Sequence, residues 1–258
     1  MVTYLDRILA AHRAAADADR RDLDALVAAA LRAPECRPFA AALRADGTVS
    51  VIAEIKRASP SRGRLAADLD PAQLARAYEA GGAACLSVLT DADFFAGSPA
   101  DLVAARQATA LPVLRKDFTV GAADVCDAKL MGADAVLLIV AALSPPLLAE
   151  LHALAGRLGL AALVEVHDEA ELELAVQVGA TLIGVNQRDL VSFEVDTARA
   201  ERVRAAMPAG VLSVAESGIS APAEVARLAD AGFDAVLVGE SLVTAADPAG
   251  ALCALRSP

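Results

Sequence analysis

The chain has no tryptophan and only two tyrosines and six phenylalanines in 258 residues. A core for a chain of this size must then be filled mostly by Ala, Val, Leu and Ile, a composition that suits interleaved helices and buried parallel strands. Cysteine is sparse too. Cys36, Cys85, Cys126 and Cys253 stand far apart and none falls in a C-x-x-C or Cys/His metal spacing. That argues against a disulfide framework or a zinc site and for free thiols in a reducing compartment. Long apolar runs are missing from the N-terminus MVTYLDRILAAHRAAADADRR, where Asp and Arg interrupt every stretch, so neither a signal peptide nor a membrane span fits. The expected location is the cytoplasm. Positive charge is in deficit, with 23 Lys and Arg against 34 Asp and Glu. A chain of net charge −11 is poorly matched to nucleic acid or an anionic membrane, which leaves a small molecule as the expected partner.

What is present is a repeating punctuation. Glycines follow helix-period segments and precede apolar runs at Gly81-Gly82, Gly132, Gly179 and Gly232, where glycine can take the left-handed conformation that ends a helix. Helix starts are marked by Asp70-Pro71, Ser98-Pro99 and Ser144-Pro145, a capping side chain before a proline, and by the capping box Asp168-x-x-Glu171. Between these signals lie eight strand candidates: Val51–Lys56, Cys85–Thr90, Pro112–Lys116, Ala135–Val140, Ala161–Val166, Thr181–Asn186, Leu212–Ser217 and Ala235–Glu240. Eight strands, each followed by a helix, predict an α/β fold in one domain, a (β/α)8 TIM barrel over 49–258. A doubly wound open sheet would use fewer strands and a Gly-rich turn after the first, which is absent.

Residues 1–45 stand outside this alternation. Leu5, Ile8, Leu9 and His12 form one helical stripe, and Leu23, Leu26, Val27, Ala30 and Leu31 another. They predict two extra N-terminal helices lying across one end of the barrel, with His12 as a packed or partly exposed histidine rather than a ligand.

Charge on barrel strands is the informative exception, because such strands are buried on both faces. Glu54 and Lys56 share a face by the period of two. Lys116 ends the third strand, Glu165 lies on the fifth, Asn186 ends the sixth, and Glu216, followed by Ser217, ends the seventh. All fall at C-terminal strand ends, where barrel enzymes build their active sites. Arg115 alternates with Lys116 and should face the helices. Grouped this closely, a lysine loses basicity to a neighbouring cation and regains it from a facing carboxylate, which suits an ammonium acid and a carboxylate base. Gly218 after strand seven, and Gly239 and Ser241 after strand eight, put small residues where backbone N–H groups and a short helix can cradle a phosphate. Ser59-Pro60-Ser61-x-Gly63 adds hydroxyls from the first loop.

The segments Glu54-Ile55-Lys56-Arg57-Ala58-Ser59-Pro60-Ser61, Leu114-Arg115-Lys116-Asp117-Phe118, Val164-Glu165-Val166, Gly184-Val185-Asn186-Gln187-Arg188-Asp189-Leu190 and Ala215-Glu216-Ser217-Gly218-Ile219 together resemble the indole-3-glycerol-phosphate synthase family. The resemblance covers nearly the whole chain. It implies closure of 1-(2-carboxyphenylamino)-1-deoxyribulose 5-phosphate to an indole, with loss of carbon dioxide and water, in tryptophan biosynthesis, needing no metal or organic cofactor. Lys116 would be the general acid at the substrate ketone, and Lys56 would hold the substrate carboxylate. Glu54 would orient the lysines, and Glu165 would serve as acid/base in the dehydration. Asn186, Glu216 and Ser217 would position substrate. Ser59, Arg188, Gly218, Gly239 and Ser241 would surround the phosphate, and Phe118, Leu137 and Phe95 would line the aromatic pocket. How Lys56, Glu54 and Glu165 divide the later proton transfers is left open. So is oligomeric state, expected as a monomer or weak homodimer. The family often carries an aromatic where Ala123 or Asp124 stands. A sugar-phosphate isomerase of the same barrel type would lack Lys116 on strand three. His167 is read as surface or backing.

Overall fold

The computed structural model describes residues 3–44, 48–59, 62–66, 68–189 and 194–256; Pro60 and Ser61 of the first loop and Leu190 of the sixth lie outside them. Eight strands form a closed parallel barrel: β1 (Ser50–Ile55), β2 (Cys85–Leu89), β3 (Val113–Lys116), β4 (Ala135–Ile139), β5 (Ala161–Val166), β6 (Leu182–Asn186), β7 (Leu212–Glu216) and β8 (Ala235–Val238), with β1 pairing both β2 and β8. Each of the eight expected strands is there; the fifth has its expected bounds, the first is shifted back by one residue, and the others are shorter by one or two. Closure buries both faces, so the strands need the Val, Leu, Ile and Ala that they carry. A two-residue hairpin, Ala58–Ser59 with Gly63–Arg64, follows β1.

The helix punctuation is realised at most of its residues. Gly82, Gly132, Gly179 and Gly232 all have φ between 80° and 91°, the left-handed turn that brings the chain into the next strand. Asp70 and Ser98 cap α4 (Pro71–Ala80) and α5 (Pro99–Ala108) with side-chain acceptors. Ser144, before α7 (Pro145–Arg157), makes no side-chain cap; the proline alone sets that start. In α6 (Ala122–Leu130), Asp124 stands in the first turn. Its Oδ2 accepts from the Val120 and Gly121 N–H groups at 2.9 and 3.0 Å, so the aspartate supplies the helix with its start.

The N-terminal extension departs from expectation. α1 (Tyr4–Ala18) does lie across an end, at the C-terminal mouth: its His12 Nε2 is 2.8 Å from Asp91 Oδ2, just beyond β2. α2 (Leu23–Arg32) packs instead on the flank against α6, leaving Leu23 and Leu31 exposed. The chain then reaches the opposite end. There the Arg37 N–H donates to Asp134 before β4, its guanidinium reaches the Leu111 carbonyl before β3, and the Phe39 carbonyl lies against Cys85 at the start of β2. A short helix the stripes did not foretell, α3 (Phe39–Ala42), buries Phe39, and Leu43 is buried just after it. One amphipathic stripe thus covers the top, and a separate pair of apolar residues closes the bottom. Among the described residues no helix is long and apolar enough to cross a membrane.

Candidate active site

A cavity of about 520 Å³ opens at the C-terminal ends of the strands. The residues to which the resemblance gives a part in the site all line it: Glu54, Lys56, Ser59, Phe95, Lys116, Phe118, Leu137, Glu165, Asn186, Arg188, Glu216, Ser217, Gly218, Gly239 and Ser241. Its polar floor is built by the strands. Lys116, at the end of β3, donates to Glu165 of β5 at 2.7 Å and to Glu216 of β7 at 3.1 Å. Lys56 donates to Glu54 Oε1 at 2.7 Å, and the Ser87 hydroxyl of β2 holds the other oxygen of Glu54. Glu54 therefore touches one of the two lysines directly and acts on Lys116 through charge alone.

A second chain of contacts fixes Glu165. The Asn186 amide donates to its Oε1 at 2.9 Å; the Asn186 carbonyl in turn accepts the Ser217 hydroxyl at 2.8 Å. Ser217 reaches that position with φ at +69°, a left-handed conformation uncommon outside glycine, and the following Gly218 continues it at +70°. The backbone thus turns sharply away from the end of β7, and the Gln187 amide ties the turn to β6 by donating to the Ser217 carbonyl.

Burial and charge pull these groups in opposite directions. Burial works against the Lys116 ammonium, but Glu165, Glu216 and Glu54 outweigh it and hold its pKa above that of an ordinary lysine. Of the two opposing effects expected from sequence, carboxylate support wins. Burial also acts to raise Glu165, yet Lys116, His167 and Asn186 hold it well down as a carboxylate. Glu216 is the group that yields: burial and the nearby Glu165 push it up to about 7 against the pull of Lys116. Its Oε1 is buried without a hydrogen-bond partner. A lone ammonium between two carboxylates can stabilise one fully and the other only in part.

The apolar side of the cavity is less legible in sequence. Phe95 and Phe118 lie tilted to one another with ring centres 6.2 Å apart, and His12 meets Phe118, also tilted, at 5.5 Å. Tyr4, Leu5 and Ile8 of α1, with Leu89 and Ile139, complete it. The α1 stripe was visible as a stripe; nothing in it told core from cavity roof. Asp91 organises the shelf, accepting from the Phe94 and Phe95 N–H groups with one oxygen and meeting His12 with the other. Asp117 does the same beside Lys116, bonded to the Phe118 N–H, Arg115 and Thr90. Arg115 points away from the cavity, to Thr90, Asp117 and the Asp124 carbonyl of α6, as alternation requires. On the rim, the Ser241 hydroxyl donates to the Ile219 carbonyl, joining the loops after β7 and β8.

Among solved structures the chain resembles the thiamine phosphate pyrophosphorylase from Pyrococcus furiosus, with a TM-score of 0.60 over 81% of this chain and 94% of that one. At 17% identity that likeness speaks to the barrel alone. Sequence relatives say more. The indole-3-glycerol phosphate synthase of Mycolicibacterium vanbaalenii is 51% identical over 98% of this chain and 93% of its own length. That of Aromatoleum aromaticum is 49% identical over 99% of both, and indole-3-glycerol phosphate synthase 1 of Streptomyces coelicolor is 51% identical over 96% and 92%. The family model described as indole-3-glycerol phosphate synthase matches residues 5–255. Identity at this level, sustained from α1 to the last helix, goes beyond what a shared barrel brings, and the chain is an enzyme of the indole-3-glycerol phosphate synthase family.

Proposed function

We propose that the cavity binds 1-(2-carboxyphenylamino)-1-deoxyribulose 5-phosphate and converts it to indole-3-glycerol phosphate, with Lys116 as the principal acid. The observation that carries this reading is the buried Lys116 ammonium, held between Glu165 and Glu216 at the floor of a pocket whose other wall is apolar. Ring closure moves charge onto the substrate keto oxygen as the anilino ring carbon attacks. An ammonium already fixed there stabilises that charge without reorganising, and its raised pKa means it gives up a proton only to a strongly basic developing alkoxide.

The protons balance around this group. The keto oxygen needs two to leave as water, one is lost from the methylene carbon as the indole forms, and the substrate carboxylate leaves the attacking ring carbon as neutral carbon dioxide, so one proton is taken up overall. Glu165, kept ionised, serves as acid/base in the dehydration. Lys56, paired with Glu54, faces the substrate carboxylate. Asn186, Glu216 and Ser217 orient the sugar chain. Ser59, Arg188, Gly218, Gly239 and Ser241 surround the phosphate, which the small residues after β7 and β8 favour. The anilino ring lies against Phe118, Phe95 and Leu137, under α1. On this reading the chain works as one unit in the cytoplasm on a small phosphorylated substrate, as a monomer or weak homodimer, without a metal or cofactor.

The test is fluorescence during incubation with the carboxyphenylamino-deoxyribulose phosphate, beside Lys116→Ala. The absence of tryptophan leaves little background for a new indole signal. A rise with the wild type that collapses in the variant is expected. A dark wild type that still binds the substrate overturns the reading.

A further inference from the structure

His167 follows β5 and does not line the cavity, yet it stands directly behind the carboxylate that does. Its Nε2 is 3.5 Å from Glu165 Oε1, buried and without a hydrogen-bond partner. Its Nδ1 is 3.0 Å from Glu171 Oε2 on α8 (Glu169–Gln177). The expected capping box is altered to make this contact. Asp168 accepts the Glu171 N–H as it should, but the Glu171 carboxylate passes over the Asp168 N–H and takes the His167 backbone N–H at 2.8 Å together with the ring. Both ends of the imidazole therefore meet a carboxylate.

Only one protonation state suits that arrangement. A neutral ring with its proton on Nδ1 would turn the bare Nε2 lone pair toward Glu165; the other tautomer would turn Nδ1 toward Glu171. Either leaves a buried acceptor facing an acceptor. A protonated Glu165 could relieve the first, but Lys116 donates to its Oε2 and Asn186 to its Oε1, and both favour the anion. We propose that His167 is a positioning residue, an imidazolium clamped between Glu171 and Glu165 that fixes the ionised state and orientation of Glu165 from the side away from substrate. The clamp rests on the reading of Glu165 as the acid/base of the reaction. The charged groups facing the ring agree in balance: burial opposes its charge, Glu171 and Glu165 support it, and Arg199 on α9 (Thr197–Ala206) opposes it, with the pKa raised overall.

The test has an arm that does not need turnover. The chain has three histidines, so a nitrogen-detected NMR titration can resolve His167. The ring should be doubly protonated at pH 6, and Glu165→Gln should lower its midpoint by about one pH unit. A neutral ring at pH 6, or a midpoint unmoved by Glu165→Gln, overturns the clamp whatever the enzyme does. In kinetics, His167→Asn and His167→Gln should move the acid limb of kcat to higher pH, because Glu165 loses its supporting charge, while KM stays within about twofold. Glu171→Gln should move the limb the same way by less. If kcat and KM fall together with the limb in place, His167 only fills space and the proposal fails. A wild type that never turns over the anilino-sugar would defeat the function above, and the titration would still decide the clamp.

Discussion

Gly184 on β6 stands against the side chain of Glu216 so closely that a single methyl group there would collide with Oε1. The neighbouring strand thus limits where that carboxylate can sit, and hence where Lys116 finds its second partner. Gly184→Ala should displace Glu216 and lower kcat by about a hundredfold, the scale of a misplacement of an ångström or so. It should also lower Tm, since overpacking a filled interior typically costs about 1–3 kcal/mol. Unchanged kcat would mean that the placement of Glu216 is immaterial.

Removing the ammonium should cost more than the chemistry. In Lys116→Met two buried carboxylates lose their common counter-charge. Activity is expected to fall by about a hundred- to ten-thousand-fold, the range for a group that moves a proton in the rate-limiting step. The pH dependence of Tm should steepen as well, because both carboxylates then favour their protonated forms. Thermal melts from pH 5 to pH 9 compare the two proteins.

Glu216 itself should weaken the fold at alkaline pH. A carboxyl whose folded pKa is raised contributes stability below its unfolded value of about 4.5 and loses it as pH climbs through the folded value of about 7. Glu216→Gln cannot ionise, so at pH 8 it should melt above the wild type while turning over substrate more slowly. A lower Tm at pH 8 would show that the carboxylate stabilises the fold through Lys116 more than its burial costs.

The roof should titrate on the other side of neutrality. Hydrogen bonding to Asp91 raises the pKa of His12 above 6.5, so the stability that His12 brings is complete below that value and lost as pH rises through the raised one. For Asp91, burial acts upward, but His12 and the Phe94 N–H hold it net below 3.8, so its share is present above that value and lost as pH falls through the lowered one. The pair is therefore strongest between about pH 4 and 6.5. His12→Ala should lower Tm more at pH 6 than at pH 9, and should raise KM by loosening Phe118 and Phe95. Equal losses at both pH values would remove the ion pair from the account.

The barrel was legible because its signals are local. A glycine with positive φ ends a helix whatever surrounds it, and a Glu or Lys on a strand buried on both faces has few places to point. That residues 1–45 would send a helix across one end was legible; the flank position of α2 and the surroundings of His167 were not, because both depend on what lies across space. Leu31 reads as core on a helical wheel and is exposed on α2, whose main packing partner is α6. Likewise Asp168-x-x-Glu171 reads as an ordinary capping box, and only the fold reveals that Glu171 prefers the histidine before it. The destination of the α1 stripe, the roof of the cavity, belongs to the same class.

Phe39 and Leu43 seal the end of the barrel opposite the cavity, and the interior between is filled by side chains from the strands. The site is a cul-de-sac. Whatever enters past α1 must come out by the same door, substrate and products alike. α1 is therefore a wall of the passage as well as of the pocket, because its Tyr4, Leu5 and Ile8 line the one way in and out.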